Sequence, residues 1–586
     1  MASGTDIITL DNFQARMPKW EPQLASHLYA LVDMGSNGIR FSVSDLSPPH
    51  ARLLKCLYRE RAAISLFDAL NSSSSSSSGG ALLFPAETIS QVSNTLARFK
   101  SIALGYGVPP ENISIFATEA MRKAENAGTM LDAIFKASGL GVQILAPEVE
   151  TLFGAMGARS SFSEVNGLFL DLGGGSVQMS YMNSAMEGYE TLASQTGKSL
   201  PFGAARLIKI LGGDANVQAT AKNELESGLE VAFSKLKQQF AELRTLCESP
   251  NLGGIDVYLC GGGFRGYGSM LMHNDPIQPY PIPAIGSYTV SGQFFKETTA
   301  MRLVNEEYEG KIYGMSTRRR QQFPAITTVV DALITAVPNI RTVTFCAGGN
   351  REGALLMKLP RNIRETKPLT LLHQPDDETK DDVMSSVITT ILSAAPTGFD
   401  FSKITTVFTL GLGRLFVGKI WSHLGEPSEA NAAYELHRTV TRDPSTPGLT
   451  HLARAVLGLT TCARWGSTLG PIDQQLHIGL RKLAAHDSPE ANFWADYFGV
   501  VASVLTTVCP AEPKAIDELD KLIRFSAKIV DGKKKPQIEL TIFVADQIAD
   551  LLERNEIGEA FKSVAKHKKE PWTVGRKVKA TVVRMS

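Results

Sequence analysis

Leu31-Val32-Asp33-Met34-Gly35-Ser36-Asn37-Gly38 and, a domain's length later, Phe169-Leu170-Asp171-Leu172-Gly173-Gly174-Gly175-Ser176 share one design. Each runs apolar strand, aspartate, apolar residue, glycine, small polar turn. Apolar alternation then resumes, through Ile39, Phe41 and Val43 in the first copy and over residues 177–182 in the second. The pattern predicts strand, tight turn, strand. Glycine lets backbone N–H groups approach an anion with no Cβ in the way. Ser and Asn add donors, and an Asp at the strand end can hold a metal ion or its waters beside a phosphate. One such turn is an ordinary hairpin. Two matching turns point to a duplicated fold with two phosphate loops facing one cleft. Gly261-Gly262-Gly263 and Gly348-Gly349 also follow apolar runs, residues 257–260 and 343–346, and read as two further turns on that cleft.

The chain around these loops has 586 residues, 43% hydrophobic and 20% charged, which suits a folded protein of several domains and excludes wholesale disorder. Its 59 basic and 59 acidic side chains exclude a bulk coat for polyanions and leave room for a local basic cleft. Six cysteines without a C-x-x-C pair read as reduced thiols, with no zinc ribbon. Residues 1–27 carry Asp6, Asp11 and Glu21 and no apolar core of signal-peptide length. No stretch has the apolar length of a membrane span. The expectation is a soluble, cytoplasmic protein with no membrane partner. No zinc finger, aromatic RNA-binding motif or basic helix points to direct nucleic-acid binding. Basic clusters at 318–320, 533–535 and 566–569 read as solvated surface or as the walls of a polyanion path.

The predicted organisation has four parts. Residues 1–27 form a tail. Residues 28–158 form a first lobe, interrupted at 71–80 by a flexible serine-rich insert. Residues 159–362 form a second lobe. After Pro360 strand signals thin out, and residues 363–586 read as a mostly helical domain. Two β-like runs near its end, 538–544 and 578–583, flank a helix from about 545 to 566. Pro147 opens a helix with Glu148 and Glu150 in its first turn. On residue grounds alone both acids simply favour a helix N-terminus. The one His-Asp doublet, His486-Asp487, reads as chain leading into a helix capped by Ser488 with Pro489 first.

Taken together these motifs resemble the exopolyphosphatase/guanosine pentaphosphate phosphatase (Ppx/GppA) family. The resemblance rests on the two loops, Ala117-Thr118-Glu119-Ala120-Met121-Arg122 with Asn126, Pro147-Glu148-Val149-Glu150, Leu200-Pro201-Phe202-Gly203-Ala204-Ala205-Arg206-Leu207 and Arg351-Glu352-Gly353. It covers about residues 28–358. Within the family the chain looks most like the fungal retrograde regulation proteins, which pair this module with a helical C-terminal region. The resemblance implies an α/β fold of duplicated actin-like or Hsp70-like ATPase lobes (ribonuclease H-like) around a cleft, plus the helical domain. It implies a phosphoanhydride-binding protein: a nucleotide-binding regulator of mitochondria-to-nucleus signalling with exopolyphosphatase-like hydrolysis. The alternative is a housekeeping exopolyphosphatase or guanosine polyphosphate phosphohydrolase. ATP or polyphosphate is the implied ligand, magnesium the implied cofactor, and signalling proteins the implied partners. A homodimer is compatible with the family.

Residue by residue, the resemblance makes Glu150 the catalytic base, with Glu148 as rival. Gly35, Ser36, Asn37 and Gly38, and Gly173, Gly174, Gly175 and Ser176, would hold phosphate oxygens, helped by Gly261, Gly262 and Gly263. Asp33 and Asp171 would hold the magnesium. Arg122 is the expected phosphate clamp, since a guanidinium binds two oxygens in one plane; otherwise it is a solvated helix arginine or a partner for Glu119. Arg265 is expected at the cleft or at a helix cap. One departure stands out: Gly38 occupies a position where the family's enzymes commonly carry serine, which removes a hydroxyl donor.

Overall fold

The computed structural model describes residues 7–17, 20–72, 82–248, 253–373, 378–398, 400–443, 445–530 and 536–549, then 557, 559–562, 564, 572, 574 and 576–585. Two compact units emerge. The first holds residues 1–274, 284–366 and 445–447, and the second holds 275–283, 367–444 and 448–586.

Among the described residues, the first unit contains two sheets of six strands with the same internal plan. In the first lobe, β2 (Leu28–Gly35), β3 (Gly38–Asp45) and β4 (Lys55–Ala62) form an antiparallel meander. β5 (Ile113–Ala117) and β6 (Val142–Leu145) extend it in parallel beyond β2. In the second lobe, β7 (Asn166–Leu172), β8 (Val177–Asn183) and β9 (Lys198–Leu200) repeat the meander. There β10 (Ile255–Cys260) and β12 (Ile340–Phe345) are the parallel extension. This order, three antiparallel strands then two parallel ones, is the duplicated actin-like, ribonuclease H-like plan that the resemblance implies. Only the outer strands differ. β1 (Ile7–Ile8) runs parallel to β6, and β11 (Tyr288–Ser291) antiparallel to β12.

The hairpin registers put the two aspartates in equivalent places. Asp33 lies opposite Arg40, with Gly35 opposite Gly38 closing a two-residue turn. Asp171 lies opposite Gln178, with Leu172 opposite Val177. Each acid lies two residues before the glycine that opens its turn, Gly35 or Gly173, so both sit at the same end of their sheets.

The described residues before β2, 7–17 and 20–27, do not form the detached tail expected. Besides β1, Phe13, Met17 and Trp20 are buried in the apolar cluster that also holds Phe153 and Leu355, and the Trp20 indole donates to the Leu46 carbonyl at 2.9 Å. These anchors are too widely spaced to show a period, so the sequence hid them. Of the serine-rich insert, Asn71 and Ser72 follow the helix Leu66–Leu70, and its remainder, 73–80, lies outside the described residues.

Two helices join the lobes. α1 (Pro147–Ser160) leaves β6 and leads to β7, while α4 (Asn350–Lys358) follows β12. Between them in sequence lie α2 (Tyr189–Thr196) and α3 (Gly261–His273). α1 and α4 cross on glycines. A Cβ on Gly353 would lie 1.8 Å from the Phe153 carbonyl oxygen, one on Gly157 would lie 2.1 Å from that of Gly349, and one on Gly348 would lie 2.0 Å from that of Gly157. The expected turn at Gly348-Gly349 is therefore a helix–helix contact rather than a phosphate loop, because backbone fills the space a loop would need.

The second unit is helical with a sheet larger than the expected β-pair. β13 (Pro396–Thr397), β14 (Ile523–Val530), β15 (Gln537–Ala545) and β16 (Lys577–Met585) form four strands in that order. β14 alternates buried Ile523, Phe525 and Ala527 with exposed Arg524, Ser526 and Lys528. The expected helix from 545 to 566 is described only in part, as Asp546–Ala549 and scattered residues beyond. Its helices include α5 (His451–Arg464), α6 (Pro471–Asp487) and α7 (Ala491–Val508). α7 starts at Ala491 with Glu490 as its cap position, two residues later than the Ser488 cap expected. Residues 275–283 join this unit, where the Tyr280 hydroxyl pairs with His451 Nδ1 at 2.8 Å. Arg481 and Asp496 form a buried two-pronged pair at 3.0 and 2.9 Å. Among the described residues no helix is long and apolar enough to cross a membrane.

Two stability tests follow from this packing. Gly353→Ala should lower the urea midpoint of the first unit by a cost of about 3 kcal/mol, since backbone rather than a flexible side chain blocks the new methyl. In the second unit Arg481→Ala should cost about 3–5 kcal/mol by leaving Asp496 buried and unpaired. Denaturant titration monitored by circular dichroism reads both.

Candidate phosphate-binding site

The ends of β2 and β7, the N-terminus of α3 and the first turn of α1 converge on one cavity of about 90 Å³. Asp33, Gly35, Ser36, Asn37, Gly38, Asp171, Gly173, Gly174, Gly175, Ser176, Gly261, Gly262 and Glu150 all line it. The structure thus brings together most of the residues singled out from sequence. Small-molecule pockets usually span roughly 300–1,000 Å³. This one is the size of a phosphoryl group with some water.

Both loops are tied down from behind. The carbonyls of Gly175, Gly173 and Gly174 accept from the N–H groups of Gly203, Ala204 and Ala205 at 3.0 Å each. A Cβ on Gly203 would lie 2.4 Å from the backbone of Gly174 and Gly175, so only glycine lets this segment reach the loop. The Leu200–Leu207 motif therefore serves as the back wall of the second loop. In the first loop the Ser36 carbonyl accepts from Phe67 N–H at 3.0 Å, and the Asn37 carbonyl from Arg61 at 2.9 Å. With these carbonyls engaged and the Gly173 N–H closing the turn onto the Ser176 carbonyl at 3.0 Å, the N–H groups of Gly174 and Gly175 are the ones left beside the cavity. Among the described residues no backbone carbonyl takes the N–H of Gly174 or Gly175.

The loops also meet each other. A Cβ on Gly174 would lie 2.6 Å from the Asn37 amide, and one on Gly175 would lie 1.9 Å from a Glu119 carboxylate oxygen. Glu119 in turn pairs with Lys123 and, at 3.4 Å, with Arg206. Arg318 donates to the Asn37 side chain at 2.8 Å and to Asp68 at 2.7 Å.

Three carboxylates share the cavity. Burial pushes Asp33, Glu150 and Asp171 all above the usual carboxylate range. For Glu150 the value is about 7: burial raises it, Arg122 opposes, and Asp33 and Asp171 add to the rise. One oxygen of Asp33, Oδ1, is buried with no hydrogen-bond partner. Such an acceptor-only set suits a hard divalent cation held by carboxylate oxygens and water. Among the described residues no group of three or more His, Cys, Asp or Glu side chains is arranged to hold a metal by itself.

Several residues stand elsewhere than the resemblance implied. Arg122 does not face the loops. It donates to Glu150 at 2.9 Å and to the Leu145 carbonyl, so it holds the acid and not an open phosphate position. Arg122 lies one helix turn past Thr118, which aims it at the start of α1. Glu148 is exposed, on the opposite side of α1 from the cavity. Gly263 packs on Leu172 and does not line the cavity. Arg265 reaches the Ala347 carbonyl at 3.1 Å, and its charge bears on Asp171. Gly261 to Gly263 open α3 and do not form a free turn. A Cβ on Gly261, whose φ is +87°, would lie 2.2 Å from Asp171 Oδ1.

The site also holds residues that sequence reasoning passed over. Arg40 and Gln178, the cross-strand neighbours of the two aspartates, both line the cavity. The charge of Arg40 pulls down on both Asp33 and Asp171. The hairpin register was the signal that would have found both. Asn350 and Thr118 line it too. Arg61 explains the departure at Gly38. A Cβ there would lie 2.9 Å from Arg61 Nε, so glycine makes room for a guanidinium at the cavity wall. A hydroxyl donor is lost and a cationic donor stands in its place.

A model of the Ppx/GppA phosphatase family matches residues 43–362, and one of the RTG2 C-terminal domain matches residues 367–585. The first match takes in Glu150 and the second loop and begins after the first. Retrograde regulation protein 2 of Saccharomyces cerevisiae is 30% identical over 503 residues, covering 83% of this chain and 82% of that protein. Exopolyphosphatase 1 of Mycobacterium bovis is 26% identical over 353 residues, 56% of this chain and 87% of that protein. Among solved structures, the Aquifex aeolicus PPX-GPPA enzyme is similar at 20% identity with a TM-score of 0.43, covering 56% of this chain and 98% of that one.

The contact between loops predicts the effect of one substitution. Gly174→Val should abolish binding of inorganic tripolyphosphate, followed by isothermal titration, in protein that keeps its melting temperature. Wild-type affinity in that variant would remove the second loop from the site.

Proposed function

The chain belongs to the Ppx/GppA phosphatase family, and from that premise we propose that it is a regulator of mitochondria-to-nucleus signalling that binds a phosphoanhydride, ATP or polyphosphate, in the cavity between its loops and slowly hydrolyses it. The observation that carries the reading is the pairing of a largely buried acid with a phosphoryl-sized cavity lined by both glycine loops. Similarity to retrograde regulation protein 2 along both units supports the regulatory half, with signals passing through partner proteins.

The volume favours end-on entry, with the terminal phosphate inside and the rest of the chain or nucleotide outside. The N–H groups of both loops would bind its non-bridging oxygens. Arg61 and Arg40 would offset part of its charge. Glu150, held by Arg122, would take a proton from an attacking water. The water oxygen then bonds to the terminal phosphorus, and the bridging P–O bond breaks with its electron pair leaving on the remaining chain. Asp33 and Asp171 would hold a magnesium ion or its waters, which when bound offsets charge on the phosphate.

The elevated Glu150 sets the pH dependence. A base with a pKa of about 7 is protonated and inactive below that point. Phosphate release should therefore fall about tenfold per pH unit below 7 and level off above it. Glu150→Gln should lose about 10²–10⁴-fold and flatten the profile. Phosphate release from polyphosphate and from ATP, measured from pH 5.5 to 9, tests this. Equal rates for wild type and variant would remove Glu150 as the base. Tight ATP binding with no release from either would leave a nucleotide-binding regulator without hydrolysis.

A further inference from the structure

A second and larger cavity, about 620 Å³, lies in the same unit and shares no residue with the phosphate cavity. It is bounded by the N-terminal segment, by α2, and by the end of α4 with the chain just after it. α4 connects the two places. Asn350 at its start lines the phosphate cavity, and Lys358 at its end, about 12 Å along the helix axis, lines this one.

Its walls have two characters. Leu10, Phe13, Met17, Leu152 and Met357 give an apolar floor. Lys358, Arg361 and Arg364 give three cations, set against Asp11 and Glu190. Glu190 already spends one oxygen on Arg364 at 2.6 Å. Its other oxygen, Oε2, is buried with no partner, a state that costs free energy until a donor meets it. Arg361 sits at the rim, 3.5 Å from the exposed Glu187. Lys358 stands over the Tyr29 ring at 5.0 Å.

We propose that this cavity is a binding site for a small amphipathic organic anion: an apolar body against the floor, an anionic head toward Lys358 and Arg361, and a hydrogen-bond donor beside the head for Glu190. The volume falls within the roughly 300–1,000 Å³ of small-molecule pockets. Burial holds the Lys358 ammonium down to about 7, and an anion at the cavity would restore its charged form. A polyphosphate is a poor occupant, because its charges would lie against an apolar floor and the Glu190 carboxylate. The site is independent of what the phosphate cavity does.

The dye 1-anilinonaphthalene-8-sulfonate has the required parts: two apolar ring systems, a sulfonate and one N–H beside it. Titrated into the full chain, it should bind at one saturable site with enhanced, blue-shifted fluorescence. Lys358→Met should weaken binding about tenfold, or about 1.4 kcal/mol, and Lys358→Arg should retain it. Thr191→Trp, which fills the cavity from α2, should abolish it. Affinity for tripolyphosphate should stay at the wild-type level in all three, which also reports their folding. Absence of saturable binding, or equal affinity in wild type, Lys358→Met and Thr191→Trp, would overturn the proposal.

Discussion

The crossing of α1 and α4 is the contact on which the rest of the first unit depends. Its backbones approach so closely that Gly157, Gly348 and Gly353 leave no space for a Cβ. That approach sets the distance between lobes. It carries Glu150, from the first lobe's helix, toward Asp171 of the second lobe. Gly154 on the same helix lies against the Asp171 carboxylate, where a Cβ would stand 3.3 Å from Oδ2. Wider helices would separate the acids and open the cavity to water. Burial would then no longer raise Glu150 to about 7.

In a chain of zero net charge the candidate site is built largely from backbone. Loop carbonyls are engaged by the N–H groups of Gly203, Ala204, Ala205 and Phe67 and by Arg61, and among the described residues no backbone carbonyl takes the N–H of Gly174 or Gly175. Few formal charges are then needed. Arg40 sits opposite Asp33 and within reach of the α3 N-terminus, where a Cβ on Gly262 would lie 3.6 Å from its guanidinium. It balances acids from both lobes. Arg61 occupies the space that a serine at position 38 would claim, so the altered first loop is a substitution of donor type and not a simple loss.

Much of this was legible from residues alone. The repeated Asp-x-Gly turns gave the hairpins, the two inward acids and the duplication. The Ala117–Arg122 and Pro147–Glu150 motifs gave the right neighbourhood for the acid. What stayed hidden has specific causes. Arg122 was expected on phosphate and sits on Glu150, because its direction depends on how a short helix meets β6 and α1. Gly348 and Gly349 look like a loop in sequence and act as a packing surface. Arg61 lies 23 residues past Gly38, and only the β3–β4 pairing brings it back. The N-terminal segment carries isolated apolar anchors with no period to read.

By itself the sequence determined which elements form and which residue types they present, since alternation, glycine placement and helix starts are properties of neighbours along the chain. The tertiary structure decided which of those residues share a cavity, how large it is, and what each charge faces. Those outcomes depend on strand register and on helix approach distances of a few ångströms. A single glycine in place of any larger residue sets such distances, and its effect appears only once two distant backbones are brought together.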